Sequence, residues 1–149
     1  MRTLVWRRLD EPGMEIARVE SFSRAEGTQI GRMYELRWRL DGERLDLEVV
    51  GRARQGVELA GADFFDVFAS PFFNSLPVMR DGLLEAGDPR DYVMRFVQVP
   101  ELEVVRSGQR YEPRGGRVVR YSSGSFAADI EFDAEGFVTR YEGFLERIF

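Results

Sequence analysis

The sequence predicts a mainly β domain, an antiparallel barrel or sandwich, on three observations. Roughly nine to eleven short apolar or alternating segments follow one another, separated by turn signals at the spacing such folds use. The clearest of them alternate with period two, as half-buried strands do. The one dense aromatic stretch, residues 63–80, is broken by Pro71 and Pro77, so it divides the strands instead of extending them. At 149 residues and 44% apolar composition, the chain suits a single domain over residues 1–149 with a sizeable core.

Residues 3–8 read as a first strand around Trp6, followed by a turn at Asp10, Glu11, Pro12 and Gly13. A second strand is expected over 14–22, ending at a polar break over 23–27. Residues 34–40 carry the strongest pattern: Tyr34, Leu36, Trp38 and Leu40 share one face, and Glu35, Arg37 and Arg39 the other. Asp41 and Gly42 turn the chain into 45–49, which repeats the alternation, so the two form a hairpin with one wet face. Residues 57–59 give a short continuation. The arginine pairs Arg37 with Arg39 and Arg52 with Arg54 each lie on one strand face and are read as solvated, with acidic cross-strand partners.

The central stretch opens as a strand and holds Phe64, Phe65, Phe68, Phe72 and Phe73 within ten residues. Ser70 before Pro71 reads as a helix N-cap with proline in the first turn, predicting about one helical turn over 71–76. This apolar plug is tipped by Asn74, Met79 and Arg80. Residues 81–91 read as an acidic, glycine-containing loop. Residues 92–99 are apolar at both parities apart from Arg95 and Gln98, so this strand is expected to be covered on both faces, one of them by the plug. Strands are then expected at 102–106, 109–112 and 118–122, with turns at Ser107-Gly108 and Gly115-Gly116. The alternating run 126–132 follows, then a return through 133–136 to 137–141. Residues 143–149 form an apolar tail that must dock.

Composition removes whole mechanisms. The chain has no cysteine and no histidine, and all 21 of its basic residues are arginine. Disulfides, thiolate nucleophiles and the usual zinc sets are excluded, as are histidine bases and lysine Schiff bases. The net charge of −5 argues against general nucleic-acid binding. No run has the length of a membrane span, and the first residues lack the apolar core of a signal peptide, so a cytoplasmic location is expected. No cofactor and no metal site is expected, because the acidic residues Asp81, Glu85, Asp88 and Asp91 lack calcium-loop spacing. Carboxylate pairs such as Asp63 with Asp66 offer acid–base chemistry only if the fold brings them to a cleft.

Several segments resemble the bacterial putative glycolipid-binding family. Val5-Trp6-Arg7 with the Pro12-Gly13 turn is similar to its opening signature. Ser70-Pro-Phe-Phe-Asn-Ser-Leu-Pro77 with Arg80 is similar to its central motif, although Phe73 stands where the family usually has threonine. Val99-Pro100, Gln109-Arg-Tyr111, Arg120-Tyr121 and the run from Asp133 to Gly136 are similar to further motifs. Residues 57–62 lack the tryptophan and the Gly-Cys pair common there in the family.

The resemblance implies a strongly curved antiparallel sheet forming an incomplete barrel around short helical segments. It also implies non-catalytic binding of a lipid, glycolipid or similar amphiphile in an apolar groove. On that reading Trp6, Tyr34, Trp38, Phe72, Phe96 and Tyr111 are candidates to line the groove, with ordinary core packing the alternative for each. Asn74 and Arg80 are candidates to meet a polar head, Arg80 through a charge-assisted pair; Asn74 alternatively fixes the turn before Pro77. Two other functions stay open. One is a hydrolase or isomerase using carboxylate or tyrosine chemistry, which a buried carboxylate with a raised pKa would signal. The other is an interaction protein with a self-filled groove, whose exposed sheet edge pairs with a partner or with a second copy as a homodimer.

Overall fold

The structure, a computed structural model, describes residues 2–11, 13–20 and 25–149, without the side chains of residues 2 and 17–20. Pro12 of the first turn, and Phe22 with its neighbours at the end of the second expected strand, lie outside the described residues. The first six strands, β1 (Arg2–Arg8), β2 (Glu15–Glu20), β3 (Ala25–Gly31), β4 (Tyr34–Asp41), β5 (Arg44–Val49) and β6 (Ala53–Glu58), form an antiparallel meander. After β7 (Phe64–Val67), the helix α1 (Pro71–Asp81) carries the chain to β8 (Arg90–Gln98). A second meander follows: β9 (Glu103–Gly115), β10 (Val118–Ser123), β11 (Phe126–Phe132), β12 (Val138–Tyr141) and β13 (Leu145–Arg147).

All the described strands belong to one sheet in the order β6-β5-β4-β3-β2-β1-β13-β12-β11-β10-β9-β8-β7. The first and last strands therefore pair in the middle, while β6 and β7, neighbours in sequence, are the two free edges. The sheet does not close: it is an incomplete barrel around a short helix, as the resemblance implies. The antiparallel expectation has one exception, since β7 and β8 run parallel with α1 as their crossover.

Local sequence explains most of the sheet. In β4, Leu36 and Trp38 are buried while Arg37 and Arg39 are exposed, and β5 repeats the pattern through Leu45, Leu47 and Val49. The wet face is laced with ion pairs, Arg39 to Glu26 on β3 at 3.2 Å and Arg54 to Glu48 on β5 at 2.8 Å. Exposed pairs of this kind contribute at most about 1 kcal/mol each, and mainly fix which face is wet.

Four expectations are corrected. The polar break over 23–27 runs into β3, whose glycines and weak alternation hide a strand held on both sides by β2 and β4. Ser107-Gly108 is not a turn but lies within the thirteen-residue β9, paired to Met94 and Val93. Residues 145–147 of the docking tail are β13, between β12 and β1. The helix is longer than one turn: it spans eleven residues and passes through Pro77. An interior proline removes a hydrogen bond and costs about 3 kcal/mol. Burial of Phe72, Phe73, Pro77 and Val78 offsets that cost, and Gly82, at φ 67°, ends the helix by donating its N–H to Val78.

Candidate functional site

A cavity of about 310 Å³ opens where the β7–α1 connection faces the second meander. Its wall is aromatic, formed by Phe68, Phe96, Tyr121, Phe126, Tyr141 and Phe144. Phe68 and Phe126 are 42% and 51% exposed and mark the mouth. Its polar groups are Asp66, Ser70 and Asn74, all buried, and the half-buried Ser107 and Ser123, whose hydroxyls bond each other at 3.3 Å, with Ser123 also donating to the Gly108 carbonyl.

Those polar groups arise from local chain geometry. Asp66 sits in the four-residue β7 between Phe65 and Val67 and points to the opposite face from both, yet all three are buried, because this short strand is covered on both faces. Ala69 adopts a left-handed φ of 61°, which turns the chain from β7 into α1 and brings Ser70 and Pro71 onto the wall. Ser70 has the extended backbone of an N-cap, but its hydroxyl caps nothing and has no hydrogen-bond partner among the described residues. Asn74, in the first turn of α1, begins a buried relay. It donates to the Tyr111 hydroxyl at 3.1 Å, Tyr111 donates to Gln109 Oε1 at 3.3 Å, and Gln109 donates to Asp66 Oδ2.

Desolvation pushes the Asp66 carboxyl up to about 7, opposed by the bonds from Gln109 and the Val67 backbone. Burial likewise raises the Tyr111, Tyr121 and Tyr141 hydroxyls, with the nearby Asp66 charge adding to the effect, so all three stay protonated donors. Among the described residues, no arginine lines the cavity. Arg8 lies behind its wall, 4.6 Å from the Phe144 ring centre and 5.5 Å from that of Phe68, and is paired with Asp10 and Glu11.

The residues singled out in the sequence are dispersed. Phe96 and Asn74 line the cavity, and Tyr111 stands behind it as the second member of the relay. Trp6 is fully buried and donates its indole N–H to the Val138 carbonyl at 2.8 Å. Trp38 and Phe72 stack on each other in the core. The Tyr34 hydroxyl accepts from Gln29, whose amide also donates to the Phe68 carbonyl. Arg80 is held by Asp81 at 2.9 Å and lies over the Phe64 ring, away from the cavity lining.

Asp66, Ser70 and Phe126 were not singled out as site residues. For Asp66 a signal existed, a lone charge inside the apolar run 64–68. A larger depression of about 740 Å³ crosses the wet face of β3 to β6. Its arginines and carboxylates already pair with one another, so a ligand there would have to displace existing ion pairs. Among the described residues, no cluster of three or more acidic side chains is placed to hold a metal ion, and no helix is long and apolar enough to cross a membrane.

Residues 23–147 match the model of a family described as "Putative glycolipid-binding". The chain belongs to that family. A crystal structure of a DUF1089 family protein from Pseudomonas aeruginosa is similar to this chain, with a TM-score of 0.73 at 21% identity. The match covers 89% of this chain and 91% of the Pseudomonas chain, and the likeness is one of fold. No curated protein matches the sequence.

Proposed function

We propose that this protein binds a lipid, glycolipid or similar amphiphile, without covalent chemistry, in the cavity between the β7–α1 connection and the second meander. The observation that carries this reading is the cavity itself: about 310 Å³, walled by aromatic rings, with a few polar groups and an exposed aromatic mouth. Small-molecule sites commonly have this composition and begin near this size. The cavity also weighs against a groove filled by its own plug, because α1 packs its phenylalanines against Trp38 and leaves this space open. The family description points the same way.

Mass spectrometry of the gently purified protein, under native and then denaturing conditions, tests the proposal. A near-stoichiometric species released on unfolding is the expected result. A protein that carries nothing and takes up nothing from a total lipid extract would overturn it. One observation favours a second reading: a buried carboxyl near pH 7 is suited to acid–base work. Turnover of ester or glycoside substrates that is lost in Asp66→Asn would establish that reading instead.

A further inference from the structure

We infer that the ligand enters this cavity polar end first, placing an uncharged or cationic hydrogen-bond donor against Asp66 and Ser70 and leaving its apolar part against Phe68 and Phe126. The inference rests on the amphiphile-binding reading and adds an orientation and a head-group class to it.

Three features of the cavity carry it. The first is the distribution of exposure. Asp66, Ser70 and Asn74 are 6%, 2% and 6% exposed, whereas the two aromatic residues most open to solvent stand at the mouth. A ligand inserted tail first would set hydrocarbon on a buried carboxylate and a bare hydroxyl, and leave its polar head to phenylalanines and to Ser107 and Ser123, whose hydroxyls already bond each other and the Gly108 carbonyl. Both placements cost hydrogen bonds that the reverse orientation keeps.

The second feature is what the polar groups have left to give. Asp66 receives Gln109 and the Val67 backbone N–H, while a carboxylate offers about four acceptor sites. Along the relay every donor points toward Asp66: Asn74 to Tyr111, Tyr111 to Gln109, Gln109 to the carboxylate. The chain thus ends in acceptor capacity. The Ser70 hydroxyl, buried and without a partner among the described residues, can accept from the same ligand group or donate to it.

The third feature is charge. No arginine lines the cavity among the described residues, and Arg8 behind the wall is matched by Asp10 and Glu11. A phosphate or carboxylate head would have to enter a low-dielectric space already holding an uncompensated carboxylate. A hydroxyl or an ammonium meets the missing donor instead.

Three amphiphiles with the same eight-carbon tail test this: octyl glucoside, octylammonium and octyl phosphate, titrated into the full chain at pH 8.5, above the raised Asp66 value of about 7. The expected result is that at least one of the two donor heads binds roughly tenfold or more tightly than octyl phosphate. The better of the two separates a hydroxyl-bearing from an amine-bearing natural ligand. In Asp66→Asn and in Ser70→Ala the ratio should shrink by about threefold or more. Should Asp66→Asn fail to fold, the ratio in Ser70→Ala decides. Octyl phosphate binding as well as both donors would overturn the inference while leaving amphiphile binding intact. Failure of all three, and of a total lipid extract, to bind would overturn both.

Discussion

The indole of Trp38 on β4 lies almost flat on the ring of Phe72 in α1, with 5.0 Å between centroids and 11° between planes. Phe73 closes on the same indole at 4.9 Å, so one tryptophan grips two successive residues of the helix. Trp38 is 2% exposed. Trp38→Ala should therefore remove about 3 to 5 kcal/mol of stability, as large aromatic deletions in cores do. In a chain of this size that lowers the thermal midpoint by about 10 °C or more, readable by circular dichroism. A drop of only a degree or two would mean the helix is held elsewhere.

Val138 is gripped from two sides. Its N–H donates to the Ser75 hydroxyl at 3.2 Å, and its carbonyl accepts the Trp6 indole N–H at 2.8 Å, both buried. Ser75→Ala leaves that N–H without its partner and should cost about 1 to 3 kcal/mol in chemical denaturation. Ser75→Thr keeps the hydroxyl but adds a methyl in a fully buried site, so it should recover only part of the loss.

Asp66 gives the protein an unusual pH signature. Its carboxyl is raised in the fold to about 7 from 3.8, so the native state binds a proton that the unfolded chain has released. The resulting stabilisation is fully present below about pH 3.8 and is lost as pH rises through about 7. At about 1.36 kcal/mol per tenfold change in proton affinity, the loss is on the order of 4 kcal/mol. Other carboxylates slope the opposite way: Asp10 and Asp81 are lowered by their bonds to Arg8 and Arg80. The Asp66 contribution is thus read as a difference. Relative to wild type, Asp66→Asn should gain stability steadily between pH 4 and pH 8; parallel curves would show that Asp66 titrates normally.

Phe126 separates binding from folding. It lines the mouth of the cavity and is 51% exposed, so Phe126→Ala removes ligand contact while costing the core little. Amphiphile affinity should fall by about threefold or more, with the thermal midpoint within a few degrees of wild type. Unchanged affinity would move the apolar part of the ligand away from this lip.

Gly136 is bound to its conformation and its space. At φ +88° a side chain is strained, and a Cβ there would come within 2.9 Å of Met79 Cγ on α1. Met79 can swing aside, so the backbone sets the cost, and Gly136→Ala should lose about 1 to 2 kcal/mol in the same denaturation assay.

Much of the sheet was legible because its faces obey period two. The residues 34–40 and 126–132 declared their buried sides in sequence, and β4 and β11 follow them except at Phe126, which the mouth of the cavity leaves open. The β3 strand was not legible, since Gly27 and Gly31 give no side chain to alternate and only its neighbours define it. Pro77 misled for a different reason: its local rule ends a helix, but burial of the helix face overrode the rule. The candidate site was the least legible part. Its walls come from β7, α1 and every strand from β8 to β13 with the connections around them, and no local pattern reports which aromatic rings will face a shared space. Trp6 and Trp38 were candidates for the groove on the resemblance, with core packing the alternative for each, and both occupy the core.

The pairing of β1 with β13 has a kinetic consequence. Trp6 meets Arg147 and Arg8 meets Leu145 across nearly the whole sequence, and among the described residues this is the ladder that joins the two meanders. Each meander consists of hairpins between near neighbours, which can zip on their own in microseconds to milliseconds. The seam must wait for the ends of a very long loop to find each other. Until it forms, two ribbons sit side by side with bare backbone along β1 and β13, an invitation to join a second molecule's ribbon in place of its own. Dilution should then favour correct refolding far more than any stabilising change in either meander alone.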